Sequence, residues 1–264
     1  MARRTQLTAA AMVAALALAL VPQARAQDRV RIGPATFESV LAPGPGVKEV
    51  KLPAYELDRE PVTNAQFLAF VESNPQWRRD RVARLFAEPG YLGHWAGPTR
   101  LGPAVRPDQP VTRVSWYAAR AYCEAQKGRL PTWYEWEYAA AADETRPDAR
   151  ADPAWRARIL DWYGRSSQEP LPVIGQTPPN VHGVRDLHGL VWEWVEDYAG
   201  LMVSADSRDQ GDPDKLKFCG SAALSVENRE QYAVLMRLAM LSALEANYTT
   251  ANLGFRCAAG GDER

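Results

Sequence analysis

The chain has 264 residues, with 31 lysines and arginines against 32 acidic residues and a formal net charge of -1. Its hydrophobic fraction of 46% and charged fraction of 24% are those of an ordinary globular protein, which excludes a disordered chain, a collagen and a coiled-coil rod. The near-neutral charge argues against nucleic acid as a partner, because a nucleic-acid-binding face must supply cations that replace phosphate counterions. The length allows one large domain or two small ones with a sizeable core.

The first 26 residues are predicted to form a cleaved secretory signal peptide. Arg3 and Arg4 give a basic start, residues 7–21 form an apolar run, and Ala24 and Ala26 place small residues where a signal peptidase cleaves. The run is shorter than the roughly 18 apolar residues that suggest a spanning helix, and no later stretch qualifies. An uncleaved anchor is the alternative.

We therefore predict a secreted or periplasmic protein whose mature domain covers residues 27–264 and has no membrane span. The two arginines near the start leave the export route open between the general secretory and the twin-arginine pathways.

Export changes the interpretation of the three cysteines, which are Cys123, Cys219 and Cys257. In an oxidising compartment two of the three are expected to pair, which leaves one thiol over. No two cysteines are near neighbours and the three histidines are scattered, so the sequence does not predict a zinc site.

Short elements separated by turns are predicted along the first half of the mature chain. Residues 30–58 are predicted to form short strands and turns. Residues 62–71 are predicted to form a helix that Thr63 caps, because apolar side chains recur at helical spacing behind this hydroxyl. Residues 77–110 contain many prolines and glycines without sustained periodicity, so they are predicted to be rich in loops.

The second half adds two more predicted helices. Ser115 is the predicted N-cap of one, while Thr132 and Glu135 have the spacing of a capping box at the start of the other. Residues 143–170 are predicted to be a polar surface excursion with one helical turn, and short strands follow from residue 191 onward. Two or three helices among short strands and long loops indicate an α+β fold with high coil content.

Several segments taken together resemble the formylglycine-generating enzyme, or sulfatase-modifying factor, family. They occur in the family's order across nearly the whole mature chain, and each is weak alone but specific in combination. The matching segments are residues 60–67 (EPVTNAQF), 110–116 (PVTRVSW), 121–123 (AYC), 128–132 (GRLPT), 135–139 (EWEYA), 179–180 (PN), 183 (G), 186–189 (DLHG), 191–195 (VWEWV) and 252–257 (NLGFRC). The resemblance implies a single compact domain with a complex α/β fold that is related to C-type lectins.

The resemblance also implies a disulfide bond. Two cysteines that are typical of the family match Cys123 and Cys257, so Cys219 becomes the odd thiol. Such a bond closes a loop of about 130 residues and stabilises the fold by several kcal/mol in the chain-entropy model. The alternative is a pair of free, buried thiols.

A calcium site is predicted within residues 186–193. The family holds a structural calcium here, with side chains that match Asp186 and Glu193 and with backbone carbonyls that match Gly189 and Val191. Carboxylate and carbonyl oxygens are the ligands that Ca²⁺ prefers. The alternative is a turn whose acids are solvated or ion-paired. A second calcium site of the family has no convincing match in this chain.

The resemblance fails at the copper site. Family members that make formylglycine hold copper with two cysteines five residues apart, a few positions after a Gly-Gly-Ser turn. The turn here includes Cys219 and Ser221, and no cysteine follows until Cys257. Cu(I) needs soft donors, which Met236 or Met240 would have to complete, although methionines at this spacing are more often helix core. The catalytic residues therefore stay unknown, with Cys219 and Ser221 as candidates, and whether the chain is an enzyme stays open.

Four residues match positions that line the substrate groove of the family: Trp192, Ser221, Arg237 and Asn252. The alternative for Trp192 is a core aromatic. Sulfoxide synthases with this fold are excluded, because the chain lacks their additional helical domain and their histidine cluster. One hypothesis is an exported maturation factor that recognises and modifies a segment of a client protein. The other is a non-catalytic, calcium-stabilised binding module that kept the groove. A monomer or weak oligomer is expected.

Overall fold

The computed structural model of the chain describes residues 28–41, 47–164, 170–200 and 232–261. The predicted signal peptide and the candidate catalytic residues Cys219 and Ser221 lie outside these ranges. Within the described part of the chain, no helix has the length and apolar character that crossing a membrane requires.

Short strands form three small sheets. In chain order the strands are β1 (Arg29–Ile32), β2 (Ala35–Glu38), β3 (Glu49–Leu52), β4 (Tyr55–Asp58), β5 (Trp192–Glu193), β6 (Leu253–Gly254) and β7 (Ala258–Gly260). Strand β4 lies between β1 and β7 in an antiparallel sheet, β2 pairs with β3 antiparallel, and β5 pairs with β6 in parallel. The last strand therefore pairs with one of the first, which joins the two ends of the domain.

Five α-helices occur in the described residues, where the sequence predicts two or three. They are α1 (Asn64–Ser73), α2 (Trp116–Ala125), α3 (Trp133–Ala140), α4 (Pro153–Gly164) and α5 (Tyr232–Ser242). The predicted α+β class, with short strands and much irregular backbone, is confirmed.

The first three helices begin where the sequence predicts. Thr63 and Gln66 form a capping box at α1, and the Ser115 hydroxyl accepts from the third backbone amide of α2. Thr132 and Glu135 form the predicted capping box at α3. In each case a side-chain oxygen satisfies an amide that has no partner inside the helix.

Helix α4 is the main departure from the predicted secondary structure, since it has 12 residues where one helical turn is expected. Trp155 and Ile159 bury one face of α4 and form a small separate apolar cluster with Ala149. Trp162 continues the same face, so the apolar stripe has the i, i+4, i+7 spacing of a helix. Charged residues between these positions conceal the stripe in the sequence.

The core joins α1, α2 and the end of the chain through aromatic rings. The Phe67 ring stacks on Tyr122 at 5.7 Å between centroids and meets Phe255 edge-on at 6.0 Å. Beside these rings, Cys123 and Cys257 form a disulfide, as the resemblance implies, and both are fully buried. The disulfide therefore fastens α2 to the segment that leads into β7.

Reduction of this disulfide is expected to destabilise the protein. The bond links residues 134 positions apart, and the chain-entropy model assigns about 5 kcal/mol to a loop of that length. Urea unfolding of the wild type with and without a reductant should show this loss, while a Cys219→Ser variant should behave like the wild type under both conditions. Equal midpoints for the oxidised and reduced wild type would contradict the prediction.

Candidate functional site

The parallel pair β5–β6 brings Trp192 next to Asn252, although the two residues are 60 positions apart in the sequence. The Trp192 amide donates to the Asn252 carbonyl at 2.8 Å, and the Trp194 amide donates to the Gly254 carbonyl at 3.0 Å. A Cβ atom on Gly254 would lie 2.6 Å from the Val111 carbonyl oxygen, so this close backbone approach requires glycine. Trp192 and Asn252, two of the residues that match the family's groove, are thus adjacent.

The ring of Trp192 is half-buried and lies against the end of α4. Its centroid is 4.9 Å from the Tyr163 ring and 5.8 Å from the Trp162 ring. These two aromatic residues therefore form a wall beside Trp192. Sequence reasoning missed them because it assigned residues 143–170 to a surface excursion, although paired aromatic residues at the end of an apolar stripe were an available signal.

Arg237 lies on α5 and is buried. It is only 1% exposed, its guanidinium carbon lies 3.5 Å from the centroid of the Trp136 ring, and Nη2 donates to the Glu193 carbonyl. Burial lowers the pKa of Arg237 to about 10, which still leaves it protonated at neutral pH. In the described part of the chain Arg237 supports β5 from the inside and rests on the Trp136 ring.

The carboxylate of Glu193 is fully buried in an ion pair. It accepts from Nε and Nη2 of Arg256 at 2.8 to 3.1 Å, and Oε2 also accepts from the Trp136 indole at 2.8 Å. The same guanidinium donates to the carbonyls of Asp58, Arg59 and Arg185 at 2.9 to 3.1 Å. The acceptors of this guanidinium thus come from three stretches of the chain, at residues 58–59, 185 and 193.

The carboxylate of Asp186 organises the turn before it. It accepts from the Gly175 amide at 2.5 Å and from the Thr177 hydroxyl at 2.7 Å. Asp186 adopts a positive φ of 57°, and Gly175 and Gly189 have positive φ values of 75° and 102°. The left-handed backbone at these positions turns the carboxylate toward residues 175–177.

The residues predicted to bind calcium do not fit that role in this arrangement. Ca²⁺ takes six to eight oxygen ligands, but N–H groups of Arg256 and Trp136 occupy the oxygens of Glu193. Asp186 is engaged separately by the 175–177 turn. Within the described ranges, no three acidic, histidine or cysteine side chains gather as a metal-binding group. Of the alternative, solvated or ion-paired acids, the ion pair is present at Glu193, while Asp186 is hydrogen-bonded.

A cavity of about 290 Å³ lies between the end of α3, α4 and residues 177–189. Trp155, Trp162 and His188 contribute to its lining. His188 Nε2 lies 2.9 Å from the Ala140 carbonyl oxygen, which accepts its proton, and burial lowers the pKa of His188 to about 4. The imidazole is therefore neutral at neutral pH and acts as a packing group between two tryptophan rings.

One family model and several known proteins are similar to this chain. The family model described as "Sulfatase-modifying factor enzyme 1-like domain" matches residues 18–260. The chain is 29% identical to the formylglycine-generating enzyme of Streptomyces coelicolor, over 82% of this chain and 81% of that protein. It is 27% identical to the formylglycine-generating enzyme of Bos taurus, over 80% of this chain and 67% of that protein.

Two further similarities are relevant. The chain is 29% identical to the inactive C-alpha-formylglycine-generating enzyme 2 of Bos taurus, over 81% of this chain and 80% of that protein. Among solved structures, PvdO from Pseudomonas aeruginosa is similar, with a TM-score of 0.45 and 17% identity over 87% of this chain and 93% of that one.

Loss of the negative charge on Glu193 is expected to cost about 3–5 kcal/mol in free energy of unfolding, because Glu193→Gln leaves a buried guanidinium without its counter-charge. The matched control is Asp108→Asn, which removes the exposed partner of Arg106 and should cost at most about 1 kcal/mol. Urea unfolding followed by tryptophan fluorescence measures both. A loss in Glu193→Gln no larger than in the control would contradict the assigned role.

Calcium is expected to leave the melting temperature unchanged, because the carboxylates of Asp186 and Glu193 already have partners in the protein. A ligand that binds only the native state would raise stability by about 2.7 kcal/mol at a hundredfold excess over its Kd. Melting curves with calcium and with a chelator should therefore coincide. A calcium-dependent rise of several degrees that disappears in Asp186→Ala would restore the calcium site.

Proposed function

The chain belongs to the family of sulfatase-modifying factor enzyme 1-like domains, and from that premise we propose that it is an exported maturation factor for a client protein. In this proposal it recognises an extended segment of the client. It does not form formylglycine through a two-cysteine copper site.

The allocation of the cysteines carries the proposal. Of the three cysteines in the chain, Cys123 and Cys257 are joined in a buried disulfide, so Cys219 alone can supply a thiolate. A site that holds Cu(I) between two thiolates cannot be assembled from one. Any modification that this protein performs must therefore use a different donor set from the one implied by the resemblance.

The surroundings of β5 support recognition of a client segment. Trp192 keeps part of its ring accessible, with Asn252 bonded to its backbone and aromatic rings of α4 beside it. Tryptophan and tyrosine combine apolar area with a polar group, and such residues supply much of the binding energy at protein interfaces. The basic and apolar pattern of residues 1–26, together with a disulfide, supports export to an oxidising compartment.

A second candidate function is a binding module without chemistry. Two observations favour it: Arg237, a predicted groove residue, is buried against Trp136, and one similar protein, matched over 80% of its length, carries the name of an inactive enzyme. Both candidates share recognition of a client and differ in whether the client leaves chemically changed.

Mass spectrometry of exported proteins separates the two candidates. Strains with the wild-type chain, with Trp192→Ala and without the chain are compared. A protein whose covalent mass depends on the wild-type chain supports the maturation factor. A protein that binds the wild type but not Trp192→Ala, with unchanged mass in all strains, supports the binding module. Equal masses and no Trp192-dependent binding would contradict both.

Formylglycine formation is expected to fail, because only one thiolate is available for copper. The purified protein is incubated with copper, oxygen and a peptide that carries the sulfatase-type Cys-x-Pro-x-Arg motif. Mass spectrometry should find the peptide unchanged, while the similar Streptomyces coelicolor protein serves as the positive control. A peptide product lighter by the difference between thiol and aldehyde would refute this prediction.

A thiol count checks the premise of that assay. Alkylation of the denatured, unreduced protein should add one label, on Cys219, and alkylation after reduction should add labels to all three cysteines. A label on Cys123 or Cys257 before reduction would show that the disulfide is not formed and would reopen the copper question.

A further inference from the structure

An apolar surface lies within residues 77–88. Leu85 is 72% exposed and Phe86 is 40% exposed, which makes Leu85 the most exposed large hydrophobic side chain in the described part of the chain. The Phe86 ring lies 5.2 Å from the Tyr117 ring and 6.0 Å from the Trp77 ring. Contiguous exposed apolar side chains, in contrast to single scattered ones, mark surfaces that bind a partner or a membrane.

The backbone around Leu85 and Phe86 is fixed by hydrogen bonds. The Phe86 amide donates to the Ala83 carbonyl at 2.8 Å, and Glu88 binds the neighbouring loop through its backbone amide and its carboxylate. That neighbouring loop contributes a further exposed aromatic residue, Tyr248. The apolar side chains are therefore held at the surface by the fold.

Positive charge surrounds this apolar pair. Residues 77–88 contain four arginines against two carboxylates. Asp80 pairs with Arg78, and Glu88 accepts from Thr249. Arg81 and Arg84 are exposed, and no carboxylate among the described residues forms a salt bridge with either of them. The chain as a whole has a net charge of -1, so the cationic character is local.

We propose that residues 77–88 dock the protein on an anionic lipid surface. Leu85 and Phe86 enter the headgroup region, and Arg81 and Arg84 contact lipid phosphates. Apolar side chains beside cations, with tryptophan and tyrosine near them, are the composition of interfacial membrane-binding surfaces. A lipid interface also accepts a pair of adjacent apolar residues without a complementary pocket. This association is peripheral, with no part of the chain crossing the lipid.

Vesicle sedimentation tests the proposal, with vesicles that contain phosphatidylglycerol and with vesicles of phosphatidylcholine alone. The wild-type chain should bind the anionic vesicles, and binding should weaken with salt. Arg81→Gln/Arg84→Gln should lower the partition coefficient about 30-fold, from roughly 1 kcal/mol per arginine near an anionic surface. Leu85→Ser should lower it about tenfold through lost apolar burial. All variants retain residues 1–26, so differences between them do not come from that segment.

Matched controls make the result specific to this surface. Lys48→Gln/Lys51→Gln removes two exposed charges on and next to β3, and Leu160→Ser removes an apolar side chain that is 41% exposed on α4. Neither should change vesicle binding. Equal binding by the wild type and the residue 81, 84 and 85 variants, or equal binding to both kinds of vesicle, would overturn the proposal. Self-association without vesicles that Leu85→Ser abolishes would assign the surface to a second copy of the chain and would also overturn it.

Discussion

The rest of the structure depends on the ion pair and the hydrogen bonds that the buried guanidinium of Arg256 forms. It pairs with the Glu193 carboxylate. It also donates to the carbonyl of Asp58 at the end of β4, to that of Arg59 just after β4, and to that of Arg185. A buried cation costs several kcal/mol unless its donors find acceptors with good geometry. Because these acceptors come from three separate stretches of chain, the cost of burial is offset only when all three are in place. One side chain therefore determines how β4, the 185–189 turn and β5 meet.

The same ion pair determines how β5 presents the candidate groove. Adjacent residues of a strand point to opposite faces, so the inward position of Glu193 turns Trp192 toward the other side. Glu193 also accepts from Trp136 through its side chain and from Arg237 through its backbone, which connects α3 and α5 to the strand. The Arg237 guanidinium then rests on the Trp136 ring, where it supports β5 from inside. The position of the half-buried Trp192 side chain thus depends on a polar network behind it.

Interactions between residues a few positions apart in the chain can be predicted from the sequence, whereas interactions between residues far apart in the chain cannot. Thr63, Ser115 and Thr132 were assigned correctly because a cap involves a hydroxyl and an amide three residues away. The oxygen-ligand pattern around Glu193 predicts calcium from residue types alone, and it gives no sign of Arg256, a partner of Glu193 that is 63 positions away. The burial of Arg237 likewise does not follow from the sequence, since a match to a family position gives the residue type and not its burial. Helix α4 was missed because its apolar stripe has only three members, which are separated by charged residues in the sequence.

The allocation of cysteines connects the stability of this domain to its chemistry. The disulfide holds α2 against the segment that carries Arg256, since Cys257 is the next residue in the chain, and its amide donates to Asp58 at 2.7 Å. The covalent link and the buried ion pair therefore fix the same stretch of backbone. With two of three cysteines committed to that structural role, Cys219 is the one thiol left for reactivity. A family fold can thus retain its disulfide and its buried ion pair while one thiol remains for any chemistry, which is why recognition and catalysis must be tested separately in this protein.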